Sequence, residues 1–173
     1  MNPAIVLCSG GLNSAVAAAV AREDQPIAML HARLPGPAQE AEAQAFAALA
    51  DRFEPAHRMV IDLSGVATLL GSGVSSRPAG VAPGGRAGRS LPGLATMLVH
   101  AAYVWATAMS ASRVYVGITG PADRNSDQRH SSRPEHSREY VHVLNHLYGT
   151  ISDRHMVDIV APVLELRGAE VIQ

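Results

Sequence analysis

Not one of the 173 residues is a lysine; all fourteen basic positions are arginine. Any phosphate contact from a basic side chain must therefore come from a guanidinium, whose planar fork favours bidentate geometry. Cysteine is nearly as scarce. Cys8 stands alone, which excludes an intrachain disulfide and a four-cysteine zinc site. A net charge of −1 leaves no basic excess of the kind that extended nucleic-acid binding shows, so nucleic acid is not an expected partner. No uninterrupted apolar run approaches membrane-spanning length. The apolar start runs straight into a glycine turn rather than into the cleavage region of a signal peptide. No membrane partner is expected, and the cytoplasm is the expected location. Apolar residues, by contrast, make up 47% of the chain. That is enough for a packed core, in a length that fits one domain spanning residues 1–173.

The apolar residues alternate between strand and helix periods. Ala4–Cys8, Pro26–His31, Arg58–Asp62, Arg113–Gly117 and Val157–Ala161 read as five buried strands. Between them, Ser14–Arg22, Pro37–Arg52, Gly93–Met109 and Ser137–Tyr148 read as helices. Repeated βα units imply an α/β fold: a doubly wound, mostly parallel, five-stranded sheet, with ligands at the carboxyl ends of the strands. Two stretches break the alternation and read as long loops at that edge. Residues 64–92 are rich in glycine, proline and serine. Residues 118–134 are polar and carry Asp123, Arg124, Asp127, Arg129, His130 and Arg133.

The densest signal is Ser9-Gly10-Gly11-Leu12-Asn13-Ser14, between the first strand and the first helix. Paired glycines open backbone dihedrals closed to other residues and keep side chains out of a ligand's way. The turn aims several N–H groups at one spot on the positive end of a helix dipole, an arrangement that binds phosphate. Ser9 and Ser14 can add hydroxyl donors, and Asn13 or Ser14 can cap the helix. Other candidates carry competing readings. His142 and His146 are four residues apart on one helix, as metal ligands or as part of a polar face, and no metal site is assigned to them. Cys8 beside the loop reads as a core thiol. Arg133 reads equally as an anion contact or as a surface residue before a proline-led helix.

The six-residue turn resembles the SGGxDS loop of the PP-loop ATP pyrophosphatase superfamily. Five of its six positions agree, and Asn13 stands where that superfamily has Asp. Later segments are most similar to 7-cyano-7-deazaguanine synthase of the queuosine pathway. Pro92, Thr96 and Trp105 fall in register with a PxRN-led helix, although Leu94 and Ala95 replace its Arg and Asn. Gly117 ends the fourth strand as the family's IGVN pattern does. Arg133-Pro134-Glu135 repeats an RPE tripeptide. Pro162 and Glu170-Val171-Ile172 match the last motif, with Gly168 at its lysine position. The family's continuing C-terminal part, with a four-cysteine zinc site, has no counterpart in these 173 residues, which leaves a truncated chain or a shortened relative.

The resemblance implies an adenine-nucleotide alpha-hydrolase-like (Rossmann-like) fold, with ATP and Mg²⁺ as cofactors and no zinc. It implies a ligase that adenylates a small deazapurine or other carboxylate and releases pyrophosphate. The changes at Asn13, Leu94, Ala95 and Gly168 imply the alternative, a weakened or inactive relative that binds nucleotide or only dimerises. The nucleotide-binding set expected on this reading is Ser9, Gly10, Gly11, Leu12, Asn13, Ser14, His31 and Gly117. The catalytic set is Asn13, Asp123 and Arg133. A homodimer is expected, because the helix Leu94–Met109 is apolar nearly all round and such a helix is normally buried on every side.

Overall fold

A computed structural model describes residues 2–69, 93–119, 135, 137–152, 155–164 and 166. Its elements run β1 (Ala4–Leu7), α1 (Leu12–Asp24), β2 (Ile27–Arg33), α2 (Gln39–Phe53), β3 (His57–Asp62), α3 (Ser64–Leu69), α4 (Leu94–Ala108), β4 (Arg113–Val116), α5 (Arg138–Ile151) and β5 (Asp158–Val160). The five strands form one parallel sheet in the order β3-β2-β1-β4-β5. The expected doubly wound sheet is therefore present. One correction concerns residues 64–92, read above as a loop throughout. They open with the helix α3, where the Asp62 carboxylate accepts the Ser64 N–H at 2.8 Å. Residues 70–92 and 120–134 lie outside the described residues.

The sheet is covered on both sides, which is why its strands are continuous apolar runs rather than alternating ones. Alternate residues of β1 face opposite ways. Ile5 belongs to a core with Leu30, Val99, Tyr103, Val114, Val116, Leu144 and Tyr148, under α4 and α5. Val6 belongs to the other, with Met29, Tyr115, Ala17, Ala18, Ala21, Phe46 and Ala50, under α1 and α2. Ala17, Ala18 and Ala21 of α1 are fully buried. Their small side chains let α1 lie close on the sheet, and this brings its N-terminus down onto the strand ends. Among the described residues no helix is long and apolar enough to cross a membrane.

Polar contacts fix the margins. Arg58 of β3 donates to Asp51 at 2.7 Å and to the Ala50 carbonyl at 2.8 Å, tying the strand to the last turn of α2. The side-chain oxygen of Ser137 accepts the Tyr140 N–H at 3.0 Å and caps α5. At the far edge, the Asn145 amide brackets Ile159: it donates to the Ile159 carbonyl at 3.0 Å and accepts the Ile159 N–H at 2.7 Å.

Candidate functional site at the glycine loop

In this strand order the connections leave β1 and β4 toward opposite faces, so a crevice opens above their carboxyl ends. Cys8-Ser9-Gly10-Gly11 fills the turn there. Gly10 is left-handed at φ +85°. A Cβ on it would lie 2.8 Å from the Ala45 Cβ, 2.8 Å from the Glu42 carbonyl oxygen and 3.1 Å from the Phe46 nitrogen. The missing side chain thus faces α2, and glycine is required here by packing as well as by conformation. Gly11, with φ −81°, is the N-cap of α1, and no side chain caps the helix. The first N–H groups of α1 therefore have no side-chain cap acceptor, as an anion site needs.

Ser14 and Asn13 do not cap α1, contrary to one expectation above. Ser14 is 4% exposed; its hydroxyl donates to the Gly11 carbonyl at 2.8 Å and sits 3.6 Å from the Cys8 sulfur. Ser9 stays outside, its hydroxyl oxygen accepting the Gly11 N–H at 3.4 Å. Asn13 is half-buried and Leu12 is exposed. Gly117 follows β4, and a Cβ there would meet the Ser14 nitrogen at 2.6 Å and the Asn13 carbonyl carbon at 2.7 Å. The structure therefore brings residues 9–14 and 117 together at one point.

His31 sits beneath this point. It is 2% exposed, its Nδ1 is 2.9 Å from the Cys8 carbonyl oxygen, and its ring stacks on Phe46 at 4.9 Å. Read from sequence as a nucleotide-binding residue, it is placed here as a brace between the loop, β2 and α2. Burial pushes the Cys8 thiol up, against the opposing effects of hydrogen bonds from Gly10 and Ser14. A raised thiol is a poor nucleophile, in keeping with a core role. Asp123 and Arg133 lie outside the described residues.

A cleft of about 240 Å³ opens between the loop and α2, lined by Ser9, Gly10, Gly11, Ala41, Glu42 and Ala45. That is below the roughly 300–1,000 Å³ of whole-ligand pockets. Sequence reasoning missed the α2 wall. The trace it left is the small pair Ala41 and Ala45, one turn apart, flanking Glu42.

Two further motifs also meet. The Glu135 carboxylate accepts the Gly93 N–H at 2.7 Å, and the Thr96 and Tyr140 hydroxyls are 3.0 Å apart. The starts of α4 and α5 are thereby joined. His142 and His146 are exposed on α5. Among the described residues no three His, Cys, Asp or Glu side chains cluster as metal ligands.

A doubly wound parallel sheet with a glycine loop opening its first helix places the chain among the PP-loop α/β proteins. Residues 3–173 match the family model described as queuosine biosynthesis protein QueC. The chain belongs to that family, as the motif resemblance implied. It is 23% identical over 178 residues to 7-cyano-7-deazaguanine synthase of Chlorobaculum parvum, covering 98% of this chain and 75% of that protein. The synthase of Chlorobaculum tepidum is similar to the same extent. NAD+ synthetase from Burkholderia pseudomallei is a solved structure similar over 92% of this chain and 70% of its own, at 16% identity and a TM-score of 0.36.

Proposed function

We propose that the protein binds ATP over residues 9–14 and adenylates a small carboxylate, by likeness to its relatives a carboxylated deazapurine. A substrate carboxylate oxygen would attack the α-phosphorus, the bond between the α- and β-phosphates would break, and pyrophosphate would leave. The observation that carries this reading is the uncapped start of α1 beside Gly10 and Gly11, with the cleft next to it. The uncapped N–H groups there would neutralise the charge that develops on the departing pyrophosphate. The donors at hand are hard oxygens, from the Ser9 hydroxyl and the Asn13 amide, a set that suits Mg²⁺. Mg²⁺ held there would add positive charge against the phosphates. Asn13 offers an oxygen without charge, which supports slow turnover or, as a second reading, nucleotide binding without turnover.

Release of AMP and pyrophosphate from ATP with candidate carboxylated deazapurines and ammonia separates the two readings. Nucleotide binding with no pyrophosphate favours the second, and no adenine-nucleotide binding at millimolar ATP and Mg²⁺ defeats both. The proposal includes a homodimer. Val104 of α4 and Val143 and Leu147 of α5 keep 55%, 61% and 44% of their surface in solvent, area that an isologous contact would bury. A monomer mass by light scattering at micromolar concentration would rule this out.

A further inference from the structure

Setting aside tyrosine hydroxyls and the Cys8 thiol, two polar side chains are buried among the described residues, Ser14 and His31. Both bond to a carbonyl of the glycine loop. The Ser14 hydroxyl donates to the Gly11 carbonyl at 2.8 Å. His31 Nδ1 is 2.9 Å from the Cys8 carbonyl oxygen. A carbonyl oxygen only accepts, so Nδ1 carries the proton. The four residues of β2 before His31, Ile-Ala-Met-Leu, are buried and apolar. An apolar side chain at position 31 would continue that run but would leave the Cys8 carbonyl without this donor.

Each clamp turns one carbonyl into the protein. In a trans peptide the C=O and the following N–H point in opposite directions, and no described peptide bond is cis. The Ser9 N–H therefore points away from His31, and the Leu12 N–H away from the Ser14 hydroxyl. Neither N–H has an acceptor among the described residues. The sense of these peptides matters, because phosphate oxygens are attracted by N–H groups and repelled by carbonyl oxygens.

We infer that His31 is a positioning residue for phosphate binding: by holding the Cys8 carbonyl inward it keeps the Ser9 N–H available to the anion, without touching the ligand itself. Donation into that carbonyl also strengthens the N–H of the same peptide as a donor. The inference rests on nucleotide binding at the loop and goes beyond it by giving a buried histidine control of one of the donors. Stacking on Phe46 at 4.9 Å is a packing role that another aromatic ring could fill.

The test separates donor from ring. His31→Phe keeps a ring against Phe46 and removes the donor. His31→Asn loses the ring but has an amide nitrogen at the branch position of Nδ1. Calorimetry measures inorganic pyrophosphate and ATP, each with Mg²⁺, binding to the full chain, and urea unfolding gives the stability of each variant. His31→Phe is expected to weaken both ligands by about ten- to a hundredfold, the worth of a hydrogen bond to a charged group. His31→Asn is expected to stay within about threefold of wild type, even where it is the less stable of the two. Wild-type affinity in His31→Phe overturns the inference, and so does an equal loss in both variants, which would make the ring the agent. A measurement on wild type needs no variant: the Ser9 amide proton should move downfield in NMR spectra when pyrophosphate binds, and an unmoved resonance at saturation overturns the inference. Absence of pyrophosphate and ATP binding by wild type is a separate failure, that of the nucleotide reading, and the inference falls with it.

Discussion

Replacing Gly10 with alanine tests whether the loop is built for α2 or for the ligand. Two costs arise in the folded state. Alanine at φ +85° loses about 1–2 kcal/mol from the close approach of its Cβ to the backbone. That Cβ would also press on the Ala45 Cβ and the Glu42 carbonyl oxygen, both at 2.8 Å. Neither is the flexible end of a side chain, so relief requires α2 to move, an overpacking cost of about 1–3 kcal/mol. Together these come to several kcal/mol, a large part of the roughly 5–15 kcal/mol that holds a domain folded. Gly11→Ala is the control. Gly11 has an ordinary φ of −81°, and its Cβ would meet only the Ser9 hydroxyl at 3.5 Å. It should fold with a loss under about 1 kcal/mol, yet place a methyl group where phosphate would approach. Urea unfolding followed by circular dichroism gives both stabilities, and ATP titration gives both affinities. Gly10→Ala should lose stability and binding together, Gly11→Ala binding alone. A Gly10→Ala midpoint matching wild type at unchanged slope would refute the packing account.

The Tyr148 hydroxyl is buried with no hydrogen-bond partner among the described residues, in a ring stack with Tyr103 at 4.1 Å. Tyr148→Phe removes an unsatisfied group and should stabilise the fold by about 1 kcal/mol in urea unfolding; a loss of that size would show an unseen partner. Burial, before the nearby Tyr140 and Tyr103, pushes the Tyr148 pKa up to about 12. The unfolded chain releases this proton near pH 10, so the contribution to stability is whole below that value and is lost as pH rises toward about 12. Phenylalanine should flatten the fall in melting temperature across this range, and an equally steep fall in the variant would contradict the assignment. Gly117→Ala drives a Cβ into backbone atoms of residues 13 and 14 at 2.6–2.9 Å. It should cost about 1–3 kcal/mol and, by displacing the start of α1, weaken ATP binding; an unaffected affinity would show that the two segments do not need this contact.

Much of this architecture was legible because local patterns and long-range packing agree. The run Ala-Ile-Val-Leu of β1 meets the glycines at the point where the strand ends, and the five strands fall within a few residues of their expected limits. Four things were not legible. The helix α3 is hidden in a glycine- and serine-rich region, where its start depends on the Asp62 side chain folding back on the Ser64 N–H. Burial of His31 depends on Phe46 from another element, and a histidine near a strand's carboxyl end reads the same in sequence whether it faces a ligand or supports the loop. The Glu42 wall of the cleft arises only when α2 packs on Gly10, a contact between segments some thirty residues apart. The Ser14 hydroxyl, read as a phosphate donor, turns inward to the Gly11 carbonyl for a similar reason, since Gly117 closes over the same turn.

The bracket that Asn145 places on Ile159 bears on how the sheet could grow. An edge strand invites another chain to continue its ladder, and it does so through outward N–H and C=O groups. On β5 one side-chain amide from α5 already takes both outward groups of Ile159, so an incoming strand would have to evict Asn145 before it could pair there. On β3, at the opposite edge, Met59 and Val60 are exposed and Arg58 is engaged with α2 behind the strand. Among the described residues, an extended peptide would thus meet a side-chain obstacle at β5 that β3 does not present.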